Sequence, residues 1–169
     1  MNNPSDKRIV EVLSFLLQKV RICAELKYVT KVLRLAQLEP VPGSATYLAG
    51  LLNLAGESTP VIDLALYLGL QRCEDYSLET PILICSNEQQ KIGMIVDNII
   101  GLTSMEEYTL QMQDEFNRAD SPFIAVVKIK NELTLLINMN RILETNVMAE
   151  KTRLALNQDL IQMAKIKHD

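Results

Sequence analysis

The order of apolar and polar positions in residues 49–64 returns, without gaps, in residues 124–139. Each stretch predicts a strand, a tight turn, a second strand and the start of a helix. Two shorter pairings accompany this one, namely 22–26 with 92–96 and 29–32 with 99–102. The chain therefore contains one small β unit written twice, which favours a platform of two paired barrels over a single catalytic cleft.

The opening elements come from the apolar pattern before the first proline pair. Ile9–Leu17 is the longest apolar run near the N-terminus, and we interpret it as a strand that pairs with 19–24 through a tight turn near Gln18. Residues 26–35 combine helical spacing with β-branched side chains, so we expect a short helix that runs into a strand. Proline and glycine at 40–43 then end this segment.

The repeated hairpin ends with a residue suited to start a helix. Residues 47–54 are apolar on both sides, as in a buried strand, and Ala55-Gly56-Glu57 supplies the turn to a partner strand at 59–62. Asp63 stands where an N-cap belongs, because its carboxylate can accept from the free amides of a short helix. Asn138 or Asn140 can do the same in the second unit.

A polar segment, 71–79, links the two units. After it, 81–85 and 91–96 predict a hairpin closed by 87–90, and Gly93 suits a strand position that another backbone approaches closely. We interpret 106–121, which is rich in carboxylates, as a solvated loop.

The two ends of the chain differ from the repeat. Residues 1–8 are expected to form a flexible leader, and 145–169 an amphipathic C-terminal helix whose apolar side includes Leu156, Leu160, Ile161 and Met163. Two interpretations of that helix stay open. It packs back onto the barrels, or it associates with a partner or a second copy.

Charge narrows the classes of partner. The 169 residues are 48% apolar and carry a net charge of −4, which disfavours non-specific binding to nucleic acid or to an anionic membrane. Trp is absent and aromatic residues make up 5%, so a stacking platform for nucleic acid is disfavoured too. No Lys or Arg occurs between Arg34 and Arg72. Such bare stretches are either buried strands or an edge kept for a protein partner.

The sequence offers little reactive chemistry. His168, the single histidine, stands one residue from the end of the sequence, and no phosphate-binding glycine motif occurs. The three cysteines lack metal-site or disulfide spacing, which fits a reducing cytoplasm, and no stretch is long enough to insert into a membrane. Asp63 and Asp97 are candidate paired acids, but a capping or turn role explains both. We therefore expect neither enzyme activity, nor a cofactor, nor a metal site.

Several motifs in order resemble those of the CheW-like domain family. They are Val32-Leu33-Arg34-Leu35, Val41-Pro42-Gly43, Gly50-Leu51-Leu52-Asn53-Leu54-Ala55-Gly56, Pro60-Val61-Ile62-Asp63-Leu64, Leu68-Gly69-Leu70, Ile92-Gly93-Met94-Ile95-Val96-Asp97 and Leu135-Leu136-Ile137-Asn138. The resemblance covers 9–144 and implies a mainly β fold, in which two SH3-like five-stranded barrels pack together with short helices after strands. We place the two subdomains at about 13–70 and 80–144.

The resemblance also implies a function. Family members are non-catalytic cytoplasmic adaptors that join the cytoplasmic tips of methyl-accepting chemoreceptors to the regulatory domain of a CheA-type histidine kinase. The alternative is a divergent scaffold or competitor that binds the kinase array without receptor coupling, for example in a type IV pilus chemosensory system. Residues that match the family's protein-binding surface are Val29, Lys31, Gly50, Asn53 and Ala55.

Two of these residues depart from the family pattern. An acid is usual where this chain has Lys31, and an arginine is usual in the turn where this chain has Ala55. One charge is inverted and the other is lost, so we expect weak or altered binding to a typical receptor tip.

Overall fold

The computed structural model describes residues 8–106, 120–145 and 147. Nearly all of the predicted leader, most of the predicted acidic loop and nearly all of the predicted C-terminal helix lie outside these residues. The described strands are β1 Ile9–Leu17, β2 Val20–Glu25, β3 Val29–Arg34, β4 Leu48–Leu54, β5 Glu57–Asp63, β6 Pro81–Ser86, β7 Lys91–Ile95, β8 Asn98–Glu106, β9 Phe123–Ile129 and β10 Glu132–Ile137. A 3₁₀-helix spans Leu26–Tyr28, α1 spans Leu64–Tyr67 and α2 spans Met139–Glu144.

The strands form two five-stranded sheets, as the mainly β prediction requires. Sheet 1 has the order β8-β1-β2-β10-β9, and sheet 2 has the order β3-β6-β7-β5-β4. Each sheet combines strands from both halves of the chain, so neither coincides with the predicted subdomains 13–70 and 80–144. The reason is that parallel pairs, β2 with β10 and β5 with β7, join hairpins that are far apart in sequence.

The predicted repeat extends to the irregularities of the backbone. The β3–β6 ladder shifts register so that Thr30 has no partner, and the β8–β1 ladder does the same at Ile100. The hairpin ladders β4–β5 and β9–β10 skip Ala49 and Ile124 in the same way. The internal repeat in the sequence also matches Thr30 with Ile100 and Ala49 with Ile124. The two sheets are therefore structural copies of each other, including their bulges.

The core has three parts. A central cluster draws side chains from both sheets and both helices, among them Phe15, Leu64, Leu83 and Ile142, each fully buried. A smaller cluster within sheet 1 includes Val12 and Leu136, and one within sheet 2 includes Val61 and Ile95. Strand residues therefore bury alternate side chains in their own sheet and in the shared centre.

Turns and caps follow the predicted positions closely. The turn predicted near Gln18 is formed by Gln18 and Lys19, both with positive φ, as in a two-residue type I′ hairpin. Asp63 accepts from the amide of Leu66, 3.1 Å away, and so caps α1. In the second unit the cap is Asn138, not Asn140, and accepts from the amide of Arg141 at 3.2 Å.

Gly93 differs from its prediction in one respect. A Cβ placed there would lie 2.9 Å from a methyl group of Val61 and 3.2 Å from one of Ile82. The neighbours that require glycine are therefore side chains of the core and not an approaching backbone.

Candidate protein-binding surface

Val29 and Lys31 lie near the start of β3, an outer strand of sheet 2. Val29 is half-buried and packs against the central core. The bulge at Thr30 separates the two residues, and the Thr30 hydroxyl donates to the carbonyl oxygen of Ile84 at 3.0 Å. Lys31 is exposed and makes no ion pair within the described part of the chain. Its ammonium group is thus available to a partner.

Gly50 lies in β4, the other outer strand of sheet 2, and is buried. Its φ is +149°, and a Cβ there would lie 2.7 Å from the carbonyl oxygen of Glu39. The absence of a side chain lets the backbone of Glu39 pair with Leu51 on both sides, with N···O distances of 2.8 and 2.9 Å. The segment after β3 thereby returns to β4 and closes sheet 2 into a barrel. Gly50 therefore contributes to this surface indirectly, because it allows the Glu39 backbone to pack against β4.

Asn53, near the end of β4, and Ala55, in the turn between β4 and β5, are both exposed. The Asn53 side-chain oxygen accepts from the amide of Gly56 at 2.9 Å, which fixes the turn. Ala55 has a φ of 49° and Gly56 a φ of 85°, so the turn is type I′ with an alanine in a left-handed conformation. The side chain at 55 projects from the tip of the hairpin and carries no charge.

All five residues thus lie in the same barrel, but they differ in their exposure to solvent. Lys31, Asn53 and Ala55 are exposed, Val29 is partly covered and Gly50 is buried. Two further exposed side chains on β3 extend the surface: Val32, which is 49% exposed, and Arg34. Arg34 pairs with Glu79 at 3.4 Å, but both side chains are more than two-thirds exposed, so this pair contributes little to stability. The β3 edge is therefore apolar and basic.

A set of polar side chains surrounds the buried carboxylate of Asp63. The Asp63 side chain is 1% exposed and accepts from the Arg72 guanidinium twice, at 2.5 Å from Nε and 3.0 Å from Nη2. The Tyr76 hydroxyl also donates to Asp63, and the Arg72 guanidinium lies 4.6 Å from the centre of the Tyr76 ring. Both oxygens of the carboxylate are therefore fully used.

Arg72 also reaches a second carboxylate. Its Nη1 lies 3.1 Å from Oδ1 of Asp97, and Oδ2 of Asp97 accepts from the backbone N–H of Gln18 at 2.6 Å and from Gln18 Nε2 at 3.1 Å. The Gln18 side-chain oxygen in turn accepts from the amide of Cys73 at 3.2 Å. We refer to Gln18, Asp63, Arg72, Tyr76 and Asp97 as the Arg72 cluster.

The electrostatics of the cluster keep its charges in place. Burial on its own would raise the pKa of Asp63, but the hydrogen bonds from Arg72 and Tyr76 outweigh it, and the pKa lies below its ordinary value. Burial would lower the pKa of Arg72, yet the bonds to Asp63 raise it instead. The pKa of Tyr76 is raised by burial and by its bond to Asp63. Asp63 is therefore an ionised cap and ion-pair partner, which agrees with the structural interpretation of this residue and not with general acid catalysis.

Sequence reasoning missed Arg72 as a buried residue, because it stands in a polar link that resembles a solvated segment. One signal was present: Arg72 is the only Lys or Arg between Arg34 and Lys91, and acids flank it at Glu74 and Asp75. A lone cation in a long stretch that otherwise carries only acids is a candidate partner for a buried carboxylate.

Reactive groups are scarce around both sites. Burial raises the pKa of the Cys23 and Cys85 thiols to about 12, so neither is a thiolate near neutral pH. Within 8–106, 120–145 and 147, no group of three or more His, Cys, Asp or Glu side chains is placed to hold a metal ion. No helix in that part of the chain is long and apolar enough to cross a membrane.

Comparison with known proteins adds the family to this geometry. The model of the CheW-like domain matches residues 11–147. The chain belongs to the CheW-like domain family. It is 25% identical over 134 residues to the chemotaxis protein CheW of Thermotoga maritima, covering 79% of this chain and 87% of that protein. It is 33% identical over 106 residues to CheW of Bacillus subtilis, covering 62% and 67%.

The fold agrees with a solved CheW structure. The crystal structure of the scaffolding protein TtCheW from Thermoanaerobacter tengcongensis superposes with a TM-score of 0.73 at 22% identity, covering 82% of this chain and 95% of that one. The two five-stranded sheets of this chain are thus the paired SH3-like barrels of the CheW-like fold, as the resemblance predicted.

Proposed function

We propose that this CheW-like chain is a non-catalytic, cytoplasmic adaptor of a chemotaxis-like pathway, which couples chemoreceptors to a CheA-type histidine kinase. The observation that carries the proposal is the family match across both sheets, together with an exposed β3 edge that offers Lys31 to a partner. The β4–β5 hairpin of the same sheet carries Asn53 and Ala55, which are both exposed. An adaptor needs such surfaces and no reactive group.

The chemistry of this edge favours an altered partner. Lys31 places a positive charge where the family pattern has an acid, and Ala55 leaves the usual arginine position uncharged. A partner matched to the usual pattern would meet a like charge at one point and lose an ion pair at the other, and both effects weaken binding. We therefore propose that the partner of this surface carries carboxylates opposite Lys31.

Co-purification tests the coupling function. The full chain, tagged and expressed with a CheA-type kinase and the cytoplasmic tip of a chemoreceptor from the same cell, should retain both proteins together. Retention of the kinase without the receptor would support the alternative, a scaffold or competitor within the kinase array, which the inverted charge at Lys31 favours. Retention of neither protein would refute both functions.

Charge substitution tests the surface itself. Lys31→Glu combined with Ala55→Arg should increase binding to a receptor tip that pairs with family members of the usual pattern, and should weaken binding to the native partner. The matched control is Lys128→Glu, which reverses an exposed lysine on β9 of the other sheet. No gain from the double substitution, or an equal gain from the control, would contradict the assignment of this edge.

A further inference from the structure

The Arg72 cluster joins parts of the two sheets that lie far apart in the sequence. Asp63 ends β5 in sheet 2, whereas Gln18 lies in the β1–β2 turn of sheet 1. Asp97 stands between β7 of sheet 2 and β8 of sheet 1, at one of the two points where the described chain passes from one sheet to the other. The other crossing is the 3₁₀-helix between β2 and β3.

Arg72 is the member that spans this junction. One edge of its guanidinium group donates to Asp63 through Nε and Nη2, and Nη1 donates to Asp97, which accepts from Gln18. Planar, forked donors of this kind fix the relative position of two carboxylates, which a single ammonium group cannot do. The Arg72 side chain is only 15% exposed, so water has little access to these bonds.

The same link also contacts the candidate binding edge. Residues 71–79 begin at the cluster and end beside β3, where the amide of Leu35 donates to the carbonyl oxygen of Thr80 at 2.8 Å and Arg34 pairs with Glu79. A turn holds this end of the link, because the amide of Ser77 donates to the Thr80 hydroxyl at 2.8 Å. The link therefore connects the junction between the sheets with the C-terminal end of the β3 edge.

We propose that Arg72 is a positioning residue, which clasps the two sheets together through Asp63 and Asp97 and so holds the link and the adjoining β3 edge in one geometry. The part of this inference that concerns partners rests on the proposed adaptor function. The clasp between the sheets stands on the contacts alone. An adaptor that holds two proteins at a defined separation benefits from such stiffness, because a rigid surface loses less freedom on binding.

Amide hydrogen exchange on the full chain tests the clasp without any partner. Arg72→Gln keeps a polar side chain but removes the charge and the fork. We expect exchange at the amides of Gln18 and Cys73 to become roughly tenfold faster, while Met94 in the middle of β7 keeps its protection. The matched control is Lys91→Ala, which breaks the Lys91–Glu57 ion pair of 3.1 Å within sheet 2 and should leave Gln18 and Cys73 unchanged.

Two further variants keep the test decisive. Asp97→Ala removes only the contacts of Arg72 with the sheet 1 side. Exchange at the amide of Cys73 should become faster, while the Leu66 amide, which donates to Asp63, stays protected. Arg72→Lys retains the positive charge but lacks the forked N–H donors of the guanidinium group. Compared with Arg72→Gln, it should therefore have a higher thermal stability, without restoring the protection of the Gln18 amide against exchange. Full recovery by Arg72→Lys, or a uniform rise in exchange that includes Met94, would overturn the clasp.

Partner binding is measured separately on the same variants. Arg72→Gln should weaken binding to the partner retained in the co-purification about fivefold to tenfold, although Arg72 lies apart from the exposed edge. Unchanged affinity together with faster exchange at Gln18 would overturn the positioning role. If the unmodified chain retains no partner, the adaptor function fails, while the exchange result still decides the clasp.

Discussion

The two sheets share their strand order and their bulges, but they differ in what the equivalent positions carry. On the outer strand of sheet 2, the bulge at Thr30 is followed by Lys31 and Val32. The equivalent strand of sheet 1 has the bulge at Ile100, followed by Gly101 and Leu102, the last 64% exposed. One edge is apolar and basic, whereas the other is apolar around its bulge and has Glu106 at its end as its only charged residue.

This difference shows that the fold constrains the positions of the bulges but not the exposed side chains beside them. The ladders need a bulge at the same place in each sheet, and both copies keep it. The exposed side chains have no such constraint, and they have diverged, as expected when the two edges meet different surroundings. The caps show the same division, because Asp63 and Asn138 both start a helix but only Asp63 also holds an arginine.

Removal of each cap is the strongest test of that asymmetry. Asp63→Ala should lower the free energy of unfolding by roughly 3–5 kcal/mol, because it leaves the buried Arg72 charge without its main partner. Asn138→Ala removes only a cap and should cost about 1 kcal/mol. Urea unfolding of both variants measures the difference. Equal losses would show that Arg72 contributes nothing beyond the cap.

Acid titration sharpens the same contrast. The pKa of Asp63 is lower in the folded chain than its ordinary value of 3.8, so its ion pair contributes its full stabilisation at pH values well above 3.8. The contribution fades as pH falls from about 5 through the folded pKa, since both states then bind the proton. The stability gap between the unmodified chain and Asp63→Asn should therefore be constant near neutral pH and shrink below about pH 4. For Asn138→Ala, which removes a neutral cap, we expect a constant gap over the same range.

The cap and the hairpin were predictable because they are local. The apolar pattern predicted both hairpins of the repeat, and the residues before the short helices pointed to Asp63 in the first unit and to Asn138 or Asn140 in the second. The interleaving of the sheets was not predictable in this way, since periodicity tells which side of a strand is buried but not which strand lies beside it. The parallel pairs β5–β7 and β2–β10 depend on contacts between distant segments.

The same distinction between local features and contacts of distant segments applies to the candidate surface. The turn at Ala55-Gly56-Glu57 was predicted from its sequence, and the structure places Ala55 and Gly56 at the exposed tip of the hairpin. The burial of Gly50 beneath Glu39 was not evident, because it results from the pairing of Glu39, just before the two prolines, with Leu51 of β4. Arg72 was missed for the same reason: its two carboxylate partners come from separate elements, and no local pattern connects them.

Inside the sheets, Gly93 and Cys23 occupy equivalent positions, and substitutions at them should change the stability by an intermediate amount. Gly93 pairs with Val61, and Cys23 pairs with Leu136 in the other copy. Gly93→Ala should destabilise by roughly 1–3 kcal/mol, because the new methyl group would lie 2.9 Å from Val61 in a packed core. Cys23→Ala should cost only about 1 kcal/mol from lost burial.

A double substitution checks the cause. Val61→Ala makes room for the added methyl group, so Gly93→Ala should cost less in that background than in the unmodified chain. Additive losses in thermal unfolding would mean that the steric explanation is wrong and that the glycine serves the backbone instead.

The smallest expected effect concerns the tips of the equivalent hairpins. Ala55 and Lys130 have nearly the same left-handed φ, 49° and 50°, at the first position of their turns. Asparagine tolerates this conformation better than either residue, so Ala55→Asn and Lys130→Asn should each stabilise the chain by about 0.5 kcal/mol. Ser58→Asn, on the neighbouring strand, should give no gain.

Thermal unfolding of these variants also bears on the charge test of the binding edge. Ala55→Arg replaces one side chain that disfavours left-handed φ by another, so it should leave stability within about 0.5 kcal/mol while it changes partner binding. A large loss of stability in Ala55→Arg would show that the tip is packed against the barrel and does not project toward a partner. A gain from Ala55→Asn without one from Lys130→Asn would mean that the two hairpins, alike in backbone, differ in strain.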